Sequence, residues 1–210
     1  MTTASPLARQ KILDAASAVF ADEGFAGARV DEIARRAGVN KAMLYYHVGN
    51  KQALYTAVLI RNFNRVEEAL ANALESGGSV GDRLGLIIAV VARVLKEFPD
   101  HPRIILREFA SAGGNLQPAV LERIVKILGT VRRLLADGVR SGEFRATDPV
   151  MTHITLVGAS LFLNAVAPLR DRVAKVVAGI EFPDDDADAG AFLTDLLLHG
   201  IARPRIGETS

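Results

Sequence analysis

Apolar residues recur along this chain at intervals of three and four, the period of a helix with one face turned inward. Ile12, Leu13, Ala16 and Phe20 set the buried stripe of a first helix over residues 7–22, ended by Gly24, with Phe25 able to pack back beneath it. Ile33 and Ala37, four apart, mark a short helix over 31–37, and Leu44 is the apolar pin of another over 41–47. Leu54, Val58 and Leu59, then Val66, Leu70 and Leu74, predict one long helix over 51–76. Leu84, Ile87, Ile88, Val91 and Leu95 predict a second over 80–98, stopped by Pro99. A short helix over 102–112 precedes Gly113 and Gly114, and Val120, Ile124, Ile127, Leu128, Val131 and Leu135 line another over 116–140. The stretch 150–166 is apolar nearly all round, so most of its faces must be covered, and Pro168 ends or kinks it. A weaker helix is read over 170–179. A last one spans 186–202, with Phe192, Leu193, Leu196, Leu197 and Ile201 on one stripe. Residues 1–6 read as a disordered arm, 141–149 as a loop, 182–186 as an exposed connection and 203–210 as frayed.

No segment alternates in the manner of a strand, so the fold class is all-α. The expected organisation is a three-helix N-terminal head over 1–52, a larger helical domain over 53–203 that binds a ligand and dimerises, and a tail over 204–210. The helix over 51–76 would close the head with its first half and enter the second domain with its second, which makes it the natural lever between them.

The most informative stretch is VDEIARRAGVNKAMLYYHVGNK, residues 30–51. It reads as two short helices joined at Gly38, a residue that adopts the left-handed backbone of a helix end without steric cost. Asn40 is placed to cap the second helix through its side-chain oxygen. Ala34, four before Gly38, lets the two helices cross closely, as a helix-turn-helix requires. The second helix is too short to be stable alone, and its side chains suit DNA. Lys41 is a cation at its start. Ala42 and Met43 are uncharged groups able to meet a base edge or a thymine methyl. Tyr45, Tyr46 and His47 carry hydroxyl and imidazole donors. Gly49 ends the helix, Asn50 caps the next, and Lys51 stands at an N-terminus already favourable to phosphate. Two tyrosines and a leucine on a short helix are also compatible with a core. Ala34, Gly38, Asn40, Leu44, Gly49 and Lys51 together in one window favour DNA.

The text from 12 to 55, ILDAASAVFADEGFAGARVDEIARRAGVNKAMLYYHVGNKQALY, resembles the TetR family of bacterial one-component transcriptional regulators. The resemblance implies a homodimer that binds a palindromic operator in double-stranded DNA and is released by a small molecule. It implies that Lys41, Ala42, Met43, Tyr46 and His47 reach base edges or nearby backbone, and that Tyr45 and Lys51 hold phosphates. Two positions depart from the family pattern. Arg29 stands where the family usually has Thr, so the usual hydroxyl cap is missing and Arg29 becomes a phosphate candidate. Val48 stands where the family often has Phe.

Charge adds a modest asymmetry. Residues 1–65 hold nine Lys or Arg against five Asp or Glu, a net +4, whereas the rest of the chain is −3. A basic head suits a polyanion, although an excess this small also fits a solvated face. With 210 residues, 50% hydrophobic and 6% aromatic, the core must be mainly aliphatic. The absence of cysteine excludes disulfides, thiol redox sensing and cysteine zinc sites. The first residues lack the apolar run of a signal peptide, and no run approaches the roughly 20 apolar residues of a membrane span. A cytoplasmic protein without a membrane partner is expected.

No phosphate loop, GxSxG elbow or HExxH is present, and His47, His101, His153 and His199 are scattered. The reading is therefore not an enzyme, with no metal and no cofactor. The helices at 150–166 and 186–202 carry wider apolar faces than a monomer needs and are the dimer candidates, with Gly158 and Gly200 permitting close approach. An effector pocket is expected among the helices beginning near Val80, Pro102, Leu116 and Val150. Its walls would be aliphatic and suit an apolar or amphipathic ligand, oriented by Arg107, Glu108, His153, Ser160 and Asn164. Two other readings stand beside this one. The first is a small-molecule-binding protein or enzyme with a non-functional head; the second is an adaptor that works through dimer contacts alone.

Overall fold

The computed structural model describes residues 6–177 and 186–201. All but Pro6 of the arm expected at 1–6, most of the connection at 182–186 and the tail expected at 204–210 lie outside the described residues; Pro6 itself is the first residue of a helix, a position where its missing N–H is no loss. Within them the chain is helical: α1 (Pro6–Gly27), α2 (Val30–Ala37), α3 (Lys41–Val48), α4 (Lys51–Glu75), α5 (Val80–Glu97), α6 (Asp100–Ala110), α7 (Pro118–Ser141), α8 (Pro149–Ala165), α9 (Ala167–Val176) and α10 (Asp186–Ile201). Two compact units result. One comprises Met1–Asn64 with Phe98–Arg123, the other Arg65–Glu97 with Ile124–Ser210.

The first unit is built on the stripe of α1. Ile12, Leu13, Ala16, Val19 and Phe20 are fully or almost fully buried, together with Ile33 of α2, Leu44 of α3 and Leu54, Tyr55, Val58 and Leu59 of α4. Gly24, at φ 70° and ψ 176°, breaks the helical run of α1 and turns Phe25 inward. The Phe25 ring lies 5.0 Å from that of Tyr55, and Phe20 meets the same tyrosine edge-on at 4.7 Å. The boundary expected after residue 52 thus falls inside α4 and inside this unit. The reason is that the head's apolar core continues through Leu54, Tyr55, Val58 and Leu59. α6 also packs on α1. Its Arg107 donates to the carbonyls of Ala21 at 3.2 Å and Asp22 at 2.9 Å, beside the break at Gly24.

The second unit packs α5 against α10 and α8. Leu84, Ile87 and Ile88 of α5 are buried, and small residues set the spacing of α5 and α10. A methyl at Gly85 would stand 3.1 Å from Thr194 Cγ2, and one at Gly190 3.6 Å from Ala92 Cβ. Asp148 caps α8 by accepting from Val150 N at 2.9 Å and Met151 N at 2.8 Å. α8 and α9 are bent 49° from one another. Pro168 sits in the first turn of α9, where its missing N–H is no loss, so this helix begins at Ala167, earlier than the sequence pattern indicates. No single described helix is long and apolar enough to cross a membrane.

A tight contact links α7 to the segment after it. Phe144 is almost fully buried, and a Cβ at Gly138 would lie 2.1 Å from its Cδ2. Gly138→Ala should gain about 1 kcal/mol of helix propensity. That gain is outweighed by displacing a ring whose burial contributes about 1.5–3 kcal/mol. A net loss of about 1–2 kcal/mol is expected in urea unfolding, and pairing Gly138→Ala with Phe144→Leu should recover part of it.

Candidate nucleic-acid interface

α2 and α3 are held together by local chemistry that can be read residue by residue. α2 starts at Arg29, whose side chain makes no cap hydrogen bond, in keeping with the loss of a hydroxyl there. It ends at Gly38, with φ 68° and ψ 31°, and the N–H of Val39 reaches back to Ala34 O at 3.0 Å. Ala34, 5% exposed, leaves room for the turn. Asn40 Oδ1 accepts from Met43 N at 2.7 Å and starts α3. Asn50 Oδ1 repeats the device for α4, accepting from Ala53 N at 2.8 Å.

Across this turn Lys41 Nζ pairs with Asp31 Oδ1 at 2.9 Å, which holds the Lys41 ammonium above its usual value. The pair joins the start of α2 to the start of α3. Spacing in the sequence did not reveal it, because it depends on how the two helices cross. On α2, Glu32 accepts from Arg35 at 2.7 and 2.8 Å and from Arg36 at 2.7 Å. The two guanidiniums hold the Glu32 carboxyl down to about 2, so one carboxylate offsets half of the charge of the arginine pair.

α3 has one buried residue, Leu44, which is fully covered. Around it the surface is open. Met43 is 44% exposed, Tyr45 42% and Tyr46 71%, and Lys41 and Ala42 are exposed as well. An eight-residue helix that anchors by one leucine presents the rest of its surface to a partner. His47 is half-buried, its ring edge-on to Tyr46 at 5.6 Å, and its Nδ1 has no hydrogen-bond partner. Lys51 is half-buried too. Its ammonium donates to Ala26 O at 3.1 Å and lies 4.9 Å over the Phe25 ring, so the cation is oriented by the end of α1. Arg29 is exposed at the start of α2.

The five polar residues expected to orient an effector are placed differently. Glu108 is 2% exposed and accepts from the Tyr55 hydroxyl at 2.6 Å and from Asn115 Nδ2 at 3.0 Å. Burial, with the carboxylate beside it, pushes the Tyr55 phenol up, so it stays a donor. Glu108 and Arg107 are therefore committed to structural contacts in the first unit. Ser160, His153 and Asn164 lie along α8 in the second. Ser160 donates to Leu156 O at 2.8 Å, and Asn164 to Ser160 O at 2.9 Å. His153 is 9% exposed, its Nδ1 has no partner, and burial holds its pKa below the usual value, so it is neutral at pH 7. The cleft of the second unit is lined by none of the five. Among the described residues no cluster of His, Asp or Glu is arranged to hold a metal ion.

Two family models match the chain. "Bacterial regulatory proteins, tetR family" covers residues 12–58, and "Tetracyclin repressor-like, C-terminal domain" covers residues 77–164. Among curated proteins the chain is similar to the HTH-type transcriptional repressor NicS of Pseudomonas putida, 29% identical over 201 residues, 93% of this chain and 92% of that one. It is also similar to the HTH-type transcriptional activator FasR of Mycolicibacterium smegmatis, 46% identical over 68 residues, 32% of this chain and 31% of that one. Among solved structures, the ketosteroid transcriptional regulator KstR2 of Mycobacterium tuberculosis superposes with a TM-score of 0.75 at 18% identity, covering 93% of this chain and 95% of its own. The fatty acid degradation regulator FadR of Bacillus halodurans does so with 0.72 at 19%, covering 90% and 94%. These two share the fold.

Proposed function

The chain belongs to the TetR family of bacterial transcriptional regulators, and from that membership we propose that it is a homodimeric repressor which binds a palindromic operator and releases it when a small apolar or amphipathic effector binds. The observation that carries the operator reading is the surface of α3, where a single buried leucine leaves Lys41, Ala42, Met43, Tyr45 and Tyr46 facing outward. In this reading Lys41, Ala42, Met43, Tyr46 and His47 meet base edges or the adjoining backbone, while Tyr45, Lys51 and Arg29 take phosphates. Residues 1–52 carry the DNA contacts, and 53–203 carry effector binding and dimerisation. Repression, rather than activation, is favoured by the full-length similarity to NicS.

Dimerisation is supported by apolar side chains that the second unit leaves uncovered. On α8 these include Met151, 60% exposed, and Phe162, 59%; on α10 they are Phe192, 63%, and Leu196, 59%. α8 and α10 also touch each other. Covering this surface with its own copy gives a two-fold pair of heads, as half-sites one DNA turn apart demand. α4 starts in the first unit and ends in the second, so a change in its path would move the heads. An effector shifts that balance only by its differential affinity for the two states. The protein acts where the genome is, in the cytoplasm.

The test is capture of fragments from the source genome, followed by titration of a captured fragment and of a random duplex of equal length. A clear preference for the captured fragment, with affinity falling steeply as salt rises, is expected. Equal affinity for both duplexes overturns the operator reading.

A further inference from the structure

An exposed carboxylate stands beside the residues assigned to DNA. Asp31, in the first turn of α2, is 61% exposed, and its Oδ1 lies 2.9 Å from the Nζ of Lys41, the first residue of α3, itself 51% exposed. The ordinary partner for Asp31 on its own helix is Arg35, four residues on. Arg35 is held instead by Glu32, at 2.7 and 2.8 Å, and Asp31 reaches across the turn to the next helix. The Lys41 ammonium also feels the positive charge of Arg29, which starts α2 without a side-chain cap, and the Tyr45 hydroxyl one turn along α3. Arg29, Lys41 and Tyr45 are all exposed. One anion is thus set among groups that the operator reading sends to DNA.

A carboxylate in that place lowers affinity for any duplex, because non-specific binding is almost wholly the attraction of cations to phosphates. Its benefit must lie in discrimination. A lone lysine is a point charge on a flexible stem and takes whichever phosphate it can reach. Tied to Asp31, the ammonium has one direction, and its remaining N–H donors leave from the N-terminal end of α3, the end of a recognition helix that meets base edges. We propose that Asp31 is a specificity-determining residue, which withholds Lys41 from the phosphate backbone and aims it at a base-edge acceptor such as guanine O6 or N7. Random sequence is then bound less tightly, while operator is not. The proposal rests on the reading of α3 as the operator-binding helix.

Fluorescence anisotropy of the full chain with a captured genomic fragment and with a random duplex of equal length, across a salt series, tests the proposal. Asp31→Asn is expected to raise random-duplex affinity about threefold or more and to steepen its salt slope by about one, the mark of one further phosphate contact. Affinity for the captured fragment should stay level or fall, so the ratio of the two drops by at least the same factor. In a Lys41→Ala background the same substitution should leave the ratio unchanged, because the residue through which Asp31 acts is gone. Asp31 is exposed, so the unfolding midpoint should move no more than for an ordinary surface substitution. An acid in a first turn also favours the helix dipole; a role confined to that end of α2 would act equally with and without Lys41. A ratio that survives Asp31→Asn, a random-duplex affinity that does not rise, or an equal fall of the ratio in both backgrounds overturns the role of Asp31 alone. An unaltered chain that binds both duplexes alike overturns the operator reading, and this proposal with it.

Discussion

Phe20→Ala is expected to lower stability by about 3–5 kcal/mol, the range for removing a fully buried aromatic ring, and to abolish DNA binding with it. Phe20 has no exposed surface and packs against both Phe25 and Tyr55. That cluster ties α1 to α4, and α2 and α3 lean on the same core through Ile33 and Leu44. Each of those two helices has eight residues, below the roughly 12–15 at which an isolated helix becomes even marginal in water. They have no stability of their own to fall back on. Urea unfolding and fluorescence anisotropy with an operator fragment measure the two effects together. Phe109→Ala is the control, because Phe109 is 52% exposed and should cost no more than about 0.5 kcal/mol. Equal losses for the two variants would show that the head is not organised around Phe20.

The double variant Phe162→Glu with Phe192→Glu should be monomeric in sedimentation equilibrium and bind operator about 10²–10⁴-fold more weakly, the contribution expected from linking two binding modules. Both rings are more than half exposed, on helices that pack together within the second unit. Monomers seldom leave contiguous apolar surface beyond a few hundred Å² in water. Carboxylates placed there would face each other across the two-fold axis and stay hydrated only if the subunits separate. Because neither ring supports the monomer's own core, the unfolding midpoint of the separated subunit should remain close to that expected without the association term. A variant that stays dimeric would move the subunit interface to another surface.

The helices were legible because their stripes are long and their ends are marked by residues with one physical job. Gly38 does adopt the left-handed backbone, and Asn40 and Asn50 do cap α3 and α4. The start of α9 was misplaced by three residues, because a proline that stops one helix also tolerates the first turn of the next. The extent of the first unit was not legible. Burial of Tyr55 and Glu108 against each other draws α4 and α6 into one packing unit, and nothing in their separate stripes signals the partnership. The exposed side of α3 could be anticipated from Leu44 as a lone apolar pin. The Lys41–Asp31 pair could not, because it depends on a crossing angle. Polar residues near predicted pocket walls turn out to carry hydrogen bonds of their own, which spacing alone does not reveal. Arg107 serves the end of α1 and Glu108 serves Tyr55, pairings that depend on how the helices pack.

The most direct test of the operator reading is the ratio of operator to random-duplex affinity in Tyr46→Ala, measured at one salt concentration beside Lys51→Ala. Tyr46 is 71% exposed on α3 and touches no core, so the variant should fold normally. Its ratio is expected to fall about tenfold or more, the scale of a base-edge contact, with random-duplex affinity little changed. Lys51→Ala should weaken both duplexes alike and reduce the salt slope by about one. A Tyr46→Ala protein that keeps its full preference for operator would contradict the placement of α3 against the bases.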